Sequence, residues 1–371
     1  MNGTNGDTMA PPGITSSSES KIRKNLSNGQ LDTREIIVMD GGFATQLSCH
    51  VQQPIDGDVL WSARFLATDQ EAVINTHLDF LRAGADLIIT NTYQAGINLF
   101  MKHLNLTADE SYNLIKKAVE LAQTAVVRYL DEFPGNRMLI HRLGGNLIDQ
   151  TLSGRPLVVG SVGPYGASLH DGSEYTGSYA KTTSVDTMKE WHLPRIKALV
   201  EGGVDLLALE TIPCKVEAEM LVKLLKEQFP GVKAWLSFSV GSDGKTTAFG
   251  ENYQQTAIAC YNMNPEQLVA VGVNCTAPRL IEPLISGINA NRSKPIPLIV
   301  YPNSGESYNV ELGDSPNHRW INRDKCEPVE TYIDRWLDLG VTWIGGCCRT
   351  YAIDVTRIRR EVEKWKQARE C

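Results

Sequence analysis

The stretch Ala83-Gly84-Ala85-Asp86-Leu87-Ile88 leads from a predicted helix into a predicted strand within six residues. Its glycine is typical of a helix C-terminus, and the apolar residues that follow at once are typical of a buried strand. The same transition recurs at Gly202-Gly203-Val204-Asp205-Leu206-Leu207 and at Leu339-Gly340-Val341-Thr342-Trp343-Ile344. This weak internal repeat indicates a fold made of repeated strand and helix units.

Eight apolar runs of strand length follow one another along the chain. They are Ile36–Met39, Leu87–Thr90, Leu157–Gly160, Leu206–Leu209, Trp235–Val240, Val269–Val273, Leu298–Tyr301 and Val341–Ile344. They do not alternate with polar residues, which is the pattern of strands covered on both faces of a parallel sheet. Eight such strands separated by helices predict an α/β fold, a (β/α)8 TIM barrel. An open doubly wound sheet shares the local pattern, but the count of eight and the lack of an early Gly-x-Gly-x-x-Gly favour the barrel.

Amphipathic segments between these runs predict the helices. Thr68 with Glu71, and Thr107 with Glu110, match the capping-box pattern, and apolar residues at helical spacing follow each pair. A similar period from Tyr332 to Leu337 predicts a helix before the eighth strand.

Two segments depart from this rhythm. Residues 1–33 are rich in Gly, Ser, Thr and Asn and lack the apolar segment of a secretory signal, so we expect a disordered tail. Residues 34–371 are expected to form the barrel, with an insertion near 131–156 between the second helix and the third strand.

Composition narrows the function. Of the 371 residues, 42% are hydrophobic and 21% are charged, as in ordinary globular proteins. The net charge of -7 argues against nucleic acid as a partner, and the longest apolar runs are too short to cross a membrane. Eight cysteines without a secretory signal fit a reducing compartment, so we expect a cytoplasmic protein with a small-molecule substrate.

Polar and thiol groups stand where the predicted strands end. Because active sites of such barrels lie at the carboxyl ends of the strands, these residues are expected to share one mouth. They include Asp40, Tyr93, Ser161, Glu210, Asn274, Cys275, Asn303, Glu306, Cys347 and Cys348.

Three of these residues are cysteines, at the ends of the sixth and eighth strands. Thiolates bind Zn²⁺ tightly, and three protein ligands with one open position are typical of a catalytic zinc site. The preceding Gly345 and Gly346 suit two consecutive sulfurs that turn towards one ion. A strained vicinal disulfide and two inert thiols are the alternatives for Cys347 and Cys348. The cysteines without a partner pattern are expected to be small core residues, namely Cys49, Cys214, Cys260 and Cys326.

A zinc site with three thiolates carries a net charge of -1, which makes the ion poor at activating water. It is well suited to holding a substrate thiol as a reactive thiolate. Such a site suits the transfer of an alkyl group to the bound sulfur. A sulfonium is a suitable donor, because it departs as a neutral thioether.

Five motifs, in order, resemble the homocysteine S-methyltransferase family over about residues 35–364. They are Asp40-Gly41-Gly42-Phe43-Ala44-Thr45-Gln46-Leu47, Glu210-Thr211-Ile212-Pro213, Gly272-Val273-Asn274-Cys275, Tyr301-Pro302-Asn303-Ser304-Gly305-Glu306 and Gly345-Gly346-Cys347-Cys348-Arg349-Thr350.

The resemblance implies that Cys275, Cys347 and Cys348 hold one Zn²⁺ per chain. It also implies that Asp40 and Glu210 bind the homocysteine amino group, while Tyr93 and Asn274 lie beside the metal as further substrate-binding candidates. From the residues alone, Glu210 could instead form an ion pair with an arginine at the rim, and Asp40 could be a turn residue.

The segments Ser161–Gly166 and Asp171–Tyr175 look like the branch of the family that uses S-methylmethionine or S-adenosylmethionine, which includes selenocysteine methyltransferases. Glu174 and Tyr175 are therefore candidates for the donor pocket, although Asp171-Gly172 is a turn signature in any case. Asn303 and Glu306 either contact the donor or order the seventh loop.

Together these features predict a zinc-dependent enzyme that transfers methyl from a sulfonium donor to homocysteine and forms methionine. A selenocysteine- or betaine-dependent methyltransferase of the same family is the alternative within the class. A non-catalytic zinc or thiol sensor is the alternative from another class.

Overall fold

Eight parallel strands form the centre of the structure, a computed structural model that describes residues 36–134, 155–290, 292–308 and 320–370. They are β1 Ile37–Val38, β2 Leu87–Ile89, β3 Leu157–Val162, β4 Leu206–Ile212, β5 Ala234–Phe238, β6 Leu268–Asn274, β7 Leu298–Tyr301 and β8 Val341–Ile344. They pair in the order β1-β8-β7-β6-β5-β4-β3-β2. Because β8 returns to β1, the sheet curls into a nearly closed barrel, and the predicted (β/α)8 fold is confirmed.

The repeated helix-to-strand segments explain how the barrel closes. The Asp86 N–H donates to the Val38 carbonyl at 2.7 Å, and the Asp86 carboxylate accepts from the Val38 N–H at 2.8 Å. Asp205 makes the same two bonds to Val158, both at 2.8 Å. In two of the three repeated segments, the aspartate two residues after the helix-ending glycine therefore extends the hydrogen-bond ladder, and at Asp86 it joins β1 to β2. The third segment has Thr342 at that position.

Helices surround the barrel. They are α1 Phe43–Leu47, α2 Phe65–Thr68, α3 Gln70–Arg82, α4 Ile97–Leu104, α5 Ala108–Glu132, α6 Val185–Gly202, α7 Lys215–Gln228, α8 Tyr253–Met263, α9 Ile281–Ile285, α10 Ile333–Asp338 and α11 Ala352–Glu370. Short 3-10 helices lie at Trp61–Arg64, Tyr165–Ser168, Ser173–Tyr175, Ser178–Lys181, Pro278–Leu280, Arg323–Lys325 and Val329–Tyr332, and Ser307–Tyr308 pairs with Trp320–Ile321 as an antiparallel ribbon.

The cap of α5 is confirmed and that of α3 is corrected. Thr107 and Glu110 form the reciprocal capping box at the start of α5. Thr68 instead ends α2, where its hydroxyl donates to the Arg64 carbonyl at 3.3 Å. Asp69 is the N-cap of α3, because its carboxylate accepts from the Ala72 N–H at 3.0 Å.

Two predicted segments lie largely outside the described residues. The tail of residues 1–33 is one of them. The other is the insertion, and its predicted start was two residues too early, because α5 continues through Asp131 and Glu132.

The inside of the barrel is packed rather than hollow. Apolar side chains fill it, and the Trp235 ring contacts those of Trp343 and Tyr301 at centroid distances of 5.9 and 6.1 Å. This layer separates the amino ends of the strands from the polar carboxyl ends. In the described part of the chain, no helix combines the length and apolar character of a membrane span.

Candidate metal and substrate site

A cavity opens at the carboxyl ends of the strands, above the packed interior. It is lined by Asp40, Gly41, Gly42, Phe43, Ala44, Thr45, Trp61, Ser62, Ile89, Thr90, Asn91, Tyr93, Ser161, Tyr175, Glu210, Thr211, Asn274, Cys275, Tyr301, Gly346, Cys347 and Cys348. All seven residues predicted to bind metal or homocysteine are among them.

The three cysteines predicted as metal ligands meet at this cavity. The Sγ atoms of Cys275, Cys347 and Cys348 all lie within 4.8 Å of one another, and those of Cys275 and Cys348 are 3.5 Å apart. Sulfurs that share a tetrahedral zinc at about 2.3 Å lie about 3.8 Å from each other, so the cluster has the size of a three-thiolate metal site. All three are free thiols in this structure, which contains no disulfide between Cys347 and Cys348.

Close packing of two loops presents the paired cysteines. A Cβ at Gly346 would lie 2.2 Å from Thr350 Oγ1, and a Cβ at Gly42 would lie 2.4 Å from the Cys347 carbonyl oxygen. Only glycine permits either approach. The glycines beside the cysteines therefore serve the contact between the β1 and β8 loops as well as the direction of the thiols.

Hydrogen bonds among the three thiols shift their pKa values in opposite directions. Cys347 and Cys348 stabilise the thiolate of Cys275 and hold its pKa well below the ordinary value. The same contact to Cys275 raises the pKa values of Cys347 and Cys348. A cation with an affinity for sulfur would favour the thiolate form of all three.

The carboxylate of Asp40 faces the same cavity. Asp40 is 1% exposed, and its Oδ2 accepts from the Ile89 N–H at 2.7 Å. Its Oδ1 has no hydrogen-bond partner among the described residues. Burial, and next the charge of nearby Glu210, raise the pKa of Asp40 well above its usual range. Asp40 is thus more than a turn residue, because it binds β2 with one oxygen and offers the other to the cavity.

Glu210 is the second buried carboxylate. It accepts hydrogen bonds from the hydroxyls of Ser161 and Tyr301, the latter at 3.2 Å. Burial raises its pKa to about 7. In the described part of the chain neither carboxylate forms an ion pair, so the predicted alternative of a rim arginine for Glu210 is not found. Two buried carboxylates in one cavity favour a cationic ligand between them.

Tyr93 and Asn274 both line the cavity, but their polar atoms differ in availability. The Tyr93 hydroxyl is buried and has no partner within the described residues. The Asn274 amide is bonded to the protein: its Oδ1 accepts from the Thr211 N–H at 2.8 Å and from Ser237 Oγ at 2.9 Å. Its Nδ2 donates to Thr211 Oγ1 at 2.7 Å.

Two of the four donor-pocket candidates lie beside the thiols. The Tyr175 hydroxyl is 3.5 Å from Cys275 Sγ, while the residue as a whole is 44% exposed, so its ring covers the cluster from the solvent side. Glu174 Oε2 is buried without a partner in the described chain, and burial raises the pKa of this carboxyl to about 7.

The other two candidates order the seventh loop. Asn303 Oδ1 accepts from the Gly305 N–H at 2.9 Å, and its Nδ2 donates to the Cys275 carbonyl at 3.3 Å. Glu306 accepts from Ser304 Oγ at 2.6 Å and pairs with Arg349 at 3.2 Å. Neither side chain lines the cavity, which supports the loop-ordering alternative stated for them.

The residues that hold the Glu210 carboxylate had no such role assigned from the sequence, although Ser161 was expected at the same mouth. The Trp235 indole N–H donates to the Tyr301 hydroxyl at 2.9 Å, and Ser237 Oγ lies 2.5 Å from the same hydroxyl. Tyr301 and Ser161 hold Glu210 in turn. The strand-end position of Ser161 and Tyr301 was a visible signal, but their partners come from other strands.

Two expectations for the remaining cysteines are wrong. Cys214 and Cys260 are buried core residues as predicted. Cys49 is exposed just after the short helix α1, and Cys326 is half-buried after a 3-10 turn, so neither belongs to the core.

Comparisons with known proteins show the family of the chain. The sequence model of the family described as "Homocysteine S-methyltransferase" matches residues 37–362. The chain is 43% identical to "Betaine-homocysteine S-methyltransferase" of Drosophila melanogaster, covering 90% of this chain and 96% of that one. It is 39% identical to "Homocysteine S-methyltransferase 2" of Arabidopsis thaliana, with 88% and 92% covered.

Among solved structures, the metallated form of the homocysteine methyltransferase MmuM from Escherichia coli superposes with a TM-score of 0.71. It is 34% identical, and the match covers 91% of this chain and 98% of that one. The chain therefore belongs to the homocysteine S-methyltransferase family and is a methyltransferase.

Proposed function

We propose that this enzyme transfers a methyl group from a sulfonium donor, S-methylmethionine or S-adenosylmethionine, to the sulfur of homocysteine and forms methionine. The observation that carries the proposal is that one cavity is lined by three thiols and by two buried carboxylates that have no cationic partner among the described residues. We include a cytoplasmic location, because a reducing compartment keeps the three thiols available.

The metal in this proposal is one Zn²⁺ held by Cys275, Cys347 and Cys348. Thiolate ligands select soft or borderline metals, and three of them leave a fourth tetrahedral position for a substrate. When bound, the zinc supplies a fixed position in which the homocysteine sulfur remains a thiolate at neutral pH. The similar Escherichia coli structure is a metallated form, which supports a metal at this site.

Asp40 and Glu210 act on the other end of homocysteine. The described residues place no cation beside these two buried carboxylates. An ammonium group between them balances their negative charge. Ser161 and Tyr301 fix the direction of the Glu210 carboxylate. Holding homocysteine at both its amine and its sulfur limits the positions that the sulfur can take, which favours an aligned attack.

The reaction is an in-line displacement at carbon. A lone pair of the homocysteine sulfur forms a bond to the methyl carbon, and the bond from that carbon to the donor sulfur breaks. The donor sulfur keeps the electron pair and departs as a neutral thioether, so no general base is needed. Tyr175 covers the thiols from the solvent side, and the preceding Glu174 has a buried carboxylate oxygen without a partner in the described chain. An aromatic ring and a carboxylate would both stabilise a sulfonium cation.

Betaine is the second donor to consider, because the relative of Drosophila melanogaster has it in its name. Betaine is also a cation, so charge alone does not distinguish it from a sulfonium. Selenocysteine is the alternative acceptor, since a selenol would occupy the same position as the homocysteine thiol.

The test is methionine formation from homocysteine, measured by mass spectrometry with zinc-replete protein and each donor supplied separately. Turnover with S-methylmethionine or S-adenosylmethionine supports the proposal and names the donor. Turnover with betaine alone would assign the betaine reaction instead. Homocysteine binding without turnover of homocysteine or selenocysteine by any donor would refute the proposed function and favour the sensor.

A further inference from the structure

We infer that Asn274 is a positioning residue: it holds the backbone at Thr211 in a left-handed conformation and so directs the neighbouring Glu210 carboxylate at the substrate ammonium. The inference rests on the proposed function, because it assumes that this ammonium is the ligand of Glu210.

The strand that carries Glu210 is irregular at this point. Leu209 pairs with Leu236 and Ile212 with Phe238, so two residues of β4, Glu210 and Thr211, stand opposite a single residue of β5. Such a bulge re-aims side chains at the end of a strand. Here it turns the Glu210 side chain towards Ser161 and Tyr301.

The bulge has a backbone cost at Thr211. This residue has a φ of 61°, a region that β-branched side chains strongly disfavour. A residue persists in such a conformation only when its surroundings hold it there. The peptide bond between Glu210 and Thr211 also determines where the Glu210 side chain points.

Asn274 supplies that hold from β6. Its amide makes two bonds to Thr211, accepting from the backbone N–H and donating to the side-chain hydroxyl. It also accepts from Ser237, the single residue of β5 that faces the bulge. Asn274 is fully buried, so these bonds are shielded from water.

Asn274 also connects the bulge at Thr211 to the thiol cluster. The next residue is Cys275, so the residue that fixes the bulge is joined by one peptide bond to a proposed metal ligand. The distance between the amine-binding carboxylate and the thiol cluster is therefore set across β4 and β6 by this clamp. With its oxygen already accepting two protein hydrogens, Asn274 has no free acceptor for the ammonium.

The test measures recognition of the amine. Homocysteine and 4-mercaptobutanoate, which lacks the amino group, are titrated calorimetrically into zinc-loaded protein. We expect Asn274→Ala to reduce the preference for homocysteine at least tenfold and to change the affinity for 4-mercaptobutanoate less than about threefold. In the double variant Asn274→Ala with Thr211→Gly, the preference for homocysteine should recover by at least half of its loss on a logarithmic scale. The reason is that glycine adopts positive φ without strain.

Two further variants complete the design. Asn264→Ala is the matched control: Asn264 is also a buried asparagine, bonded to Gln267 at 2.7 Å at the opposite end of β6, and its loss should leave the preference unchanged. If Asn274→Ala does not fold, Thr211→Val tests the same clamp, because valine keeps the shape of threonine and removes only the hydroxyl partner. It should reduce the preference at least threefold.

The inference is overturned if Asn274→Ala leaves the preference for homocysteine unchanged, which includes an equal loss of affinity for both thiols. It is also overturned if Thr211→Gly does not restore a lost preference. A wild-type protein with no preference for homocysteine would overturn it as well. If the wild type prefers homocysteine in binding but methylates it with no donor, the proposed function fails and the binding data still decide the role of Asn274.

Discussion

Replacing Glu210 by Gln tests the origin of homocysteine recognition. The substitution keeps the size of the side chain and an oxygen to accept from Ser161, and it removes one of the two buried negative charges. Asp40 remains, so the ammonium would lose one partner of two. We therefore expect weaker homocysteine capture and a retained thiol site.

The magnitude follows from the contact that is lost. A hydrogen bond to a charged group contributes about 1.5–3 kcal/mol, and about 1.4 kcal/mol corresponds to a factor of ten. Glu210 is only 7% exposed, so solvent screens the interaction little. Glu210→Gln should thus raise the KM for homocysteine by about 10- to 150-fold, with a smaller effect on kcat.

The same charge gives a pH dependence with a defined sign. The pKa of Glu210 is about 7 without ligand, and an adjacent ammonium favours the ionised form. Homocysteine affinity should therefore fall as the pH drops below about 7, because binding must first remove a proton from this carboxyl. Glu210→Gln should lose that part of the dependence.

The assay compares homocysteine with 4-mercaptobutanoate from pH 5.5 to 8.5, which cancels the titration of the thiol group shared by both acceptors. The expected result is a falling ratio of the two kcat/KM values below about pH 7 in the wild type and a lower, flatter ratio in Glu210→Gln. The reasoning is refuted if Glu210→Gln leaves the ratio of the two kcat/KM values unchanged, which happens when both acceptors lose kcat/KM by the same factor.

Three other outcomes are expected. Cys347→Ala should lose both bound zinc and methyl transfer, whereas Cys49→Ala, at an exposed thiol, should keep both; stoichiometric zinc in the first variant, measured by atomic emission, contradicts the site. His77 is buried, and burial lowers its pKa from 6.5 to about 3, so the unfolded chain takes up the proton first and stability is lost as the pH falls below about 6.5. Between pH 7 and 5 this accounts for about 2 kcal/mol of the free energy of unfolding, and His77→Phe should reduce the loss in urea titrations by that amount; an unchanged loss would exclude His77 as its source. Glu217 is fully buried and accepts from the Tyr165 N–H and the His192 ring, both at 2.7 Å, so Glu217→Ala should lower the unfolding free energy by about 3–5 kcal/mol. The control Glu219→Ala on the same helix removes only a partly exposed ion pair with Lys215 and should cost less than about 1 kcal/mol; equal losses would contradict the buried network.

The barrel was predictable because its signals are local. A glycine that ends a helix and an apolar run that follows it within three residues depend only on neighbours in the chain. Gly84, Gly203 and Gly340 have φ values of 98°, 87° and 91°, as the repeated segments require. The error at Thr68 has a local cause too, since the adjacent Asp69 competes for the same cap and α2 ends at Thr68.

The cysteine set was predictable for a topological reason. Strands of a parallel barrel carry their carboxyl ends to one mouth, so Cys275 and Cys347 converge although 72 residues separate them in the sequence. The choice between a vicinal disulfide and free thiols needed the coordinates. The separation of Cys49 and Cys326 from the core also needed them, because exposure depends on what packs against a residue.

The strand count, the order of the motifs and the residue types at the mouth could be predicted before any coordinates, since these follow from periodicity and chain order. Which of those polar residues are available to a ligand became visible in the folded chain. Glu306 pairs with Arg349 and Asn274 with Thr211, whereas Asp40 and Tyr93 keep polar atoms without partners in the described chain. A hydrogen bond between two strand ends depends on register, bulges and side-chain direction to within fractions of an ångström, and no local pattern specifies these.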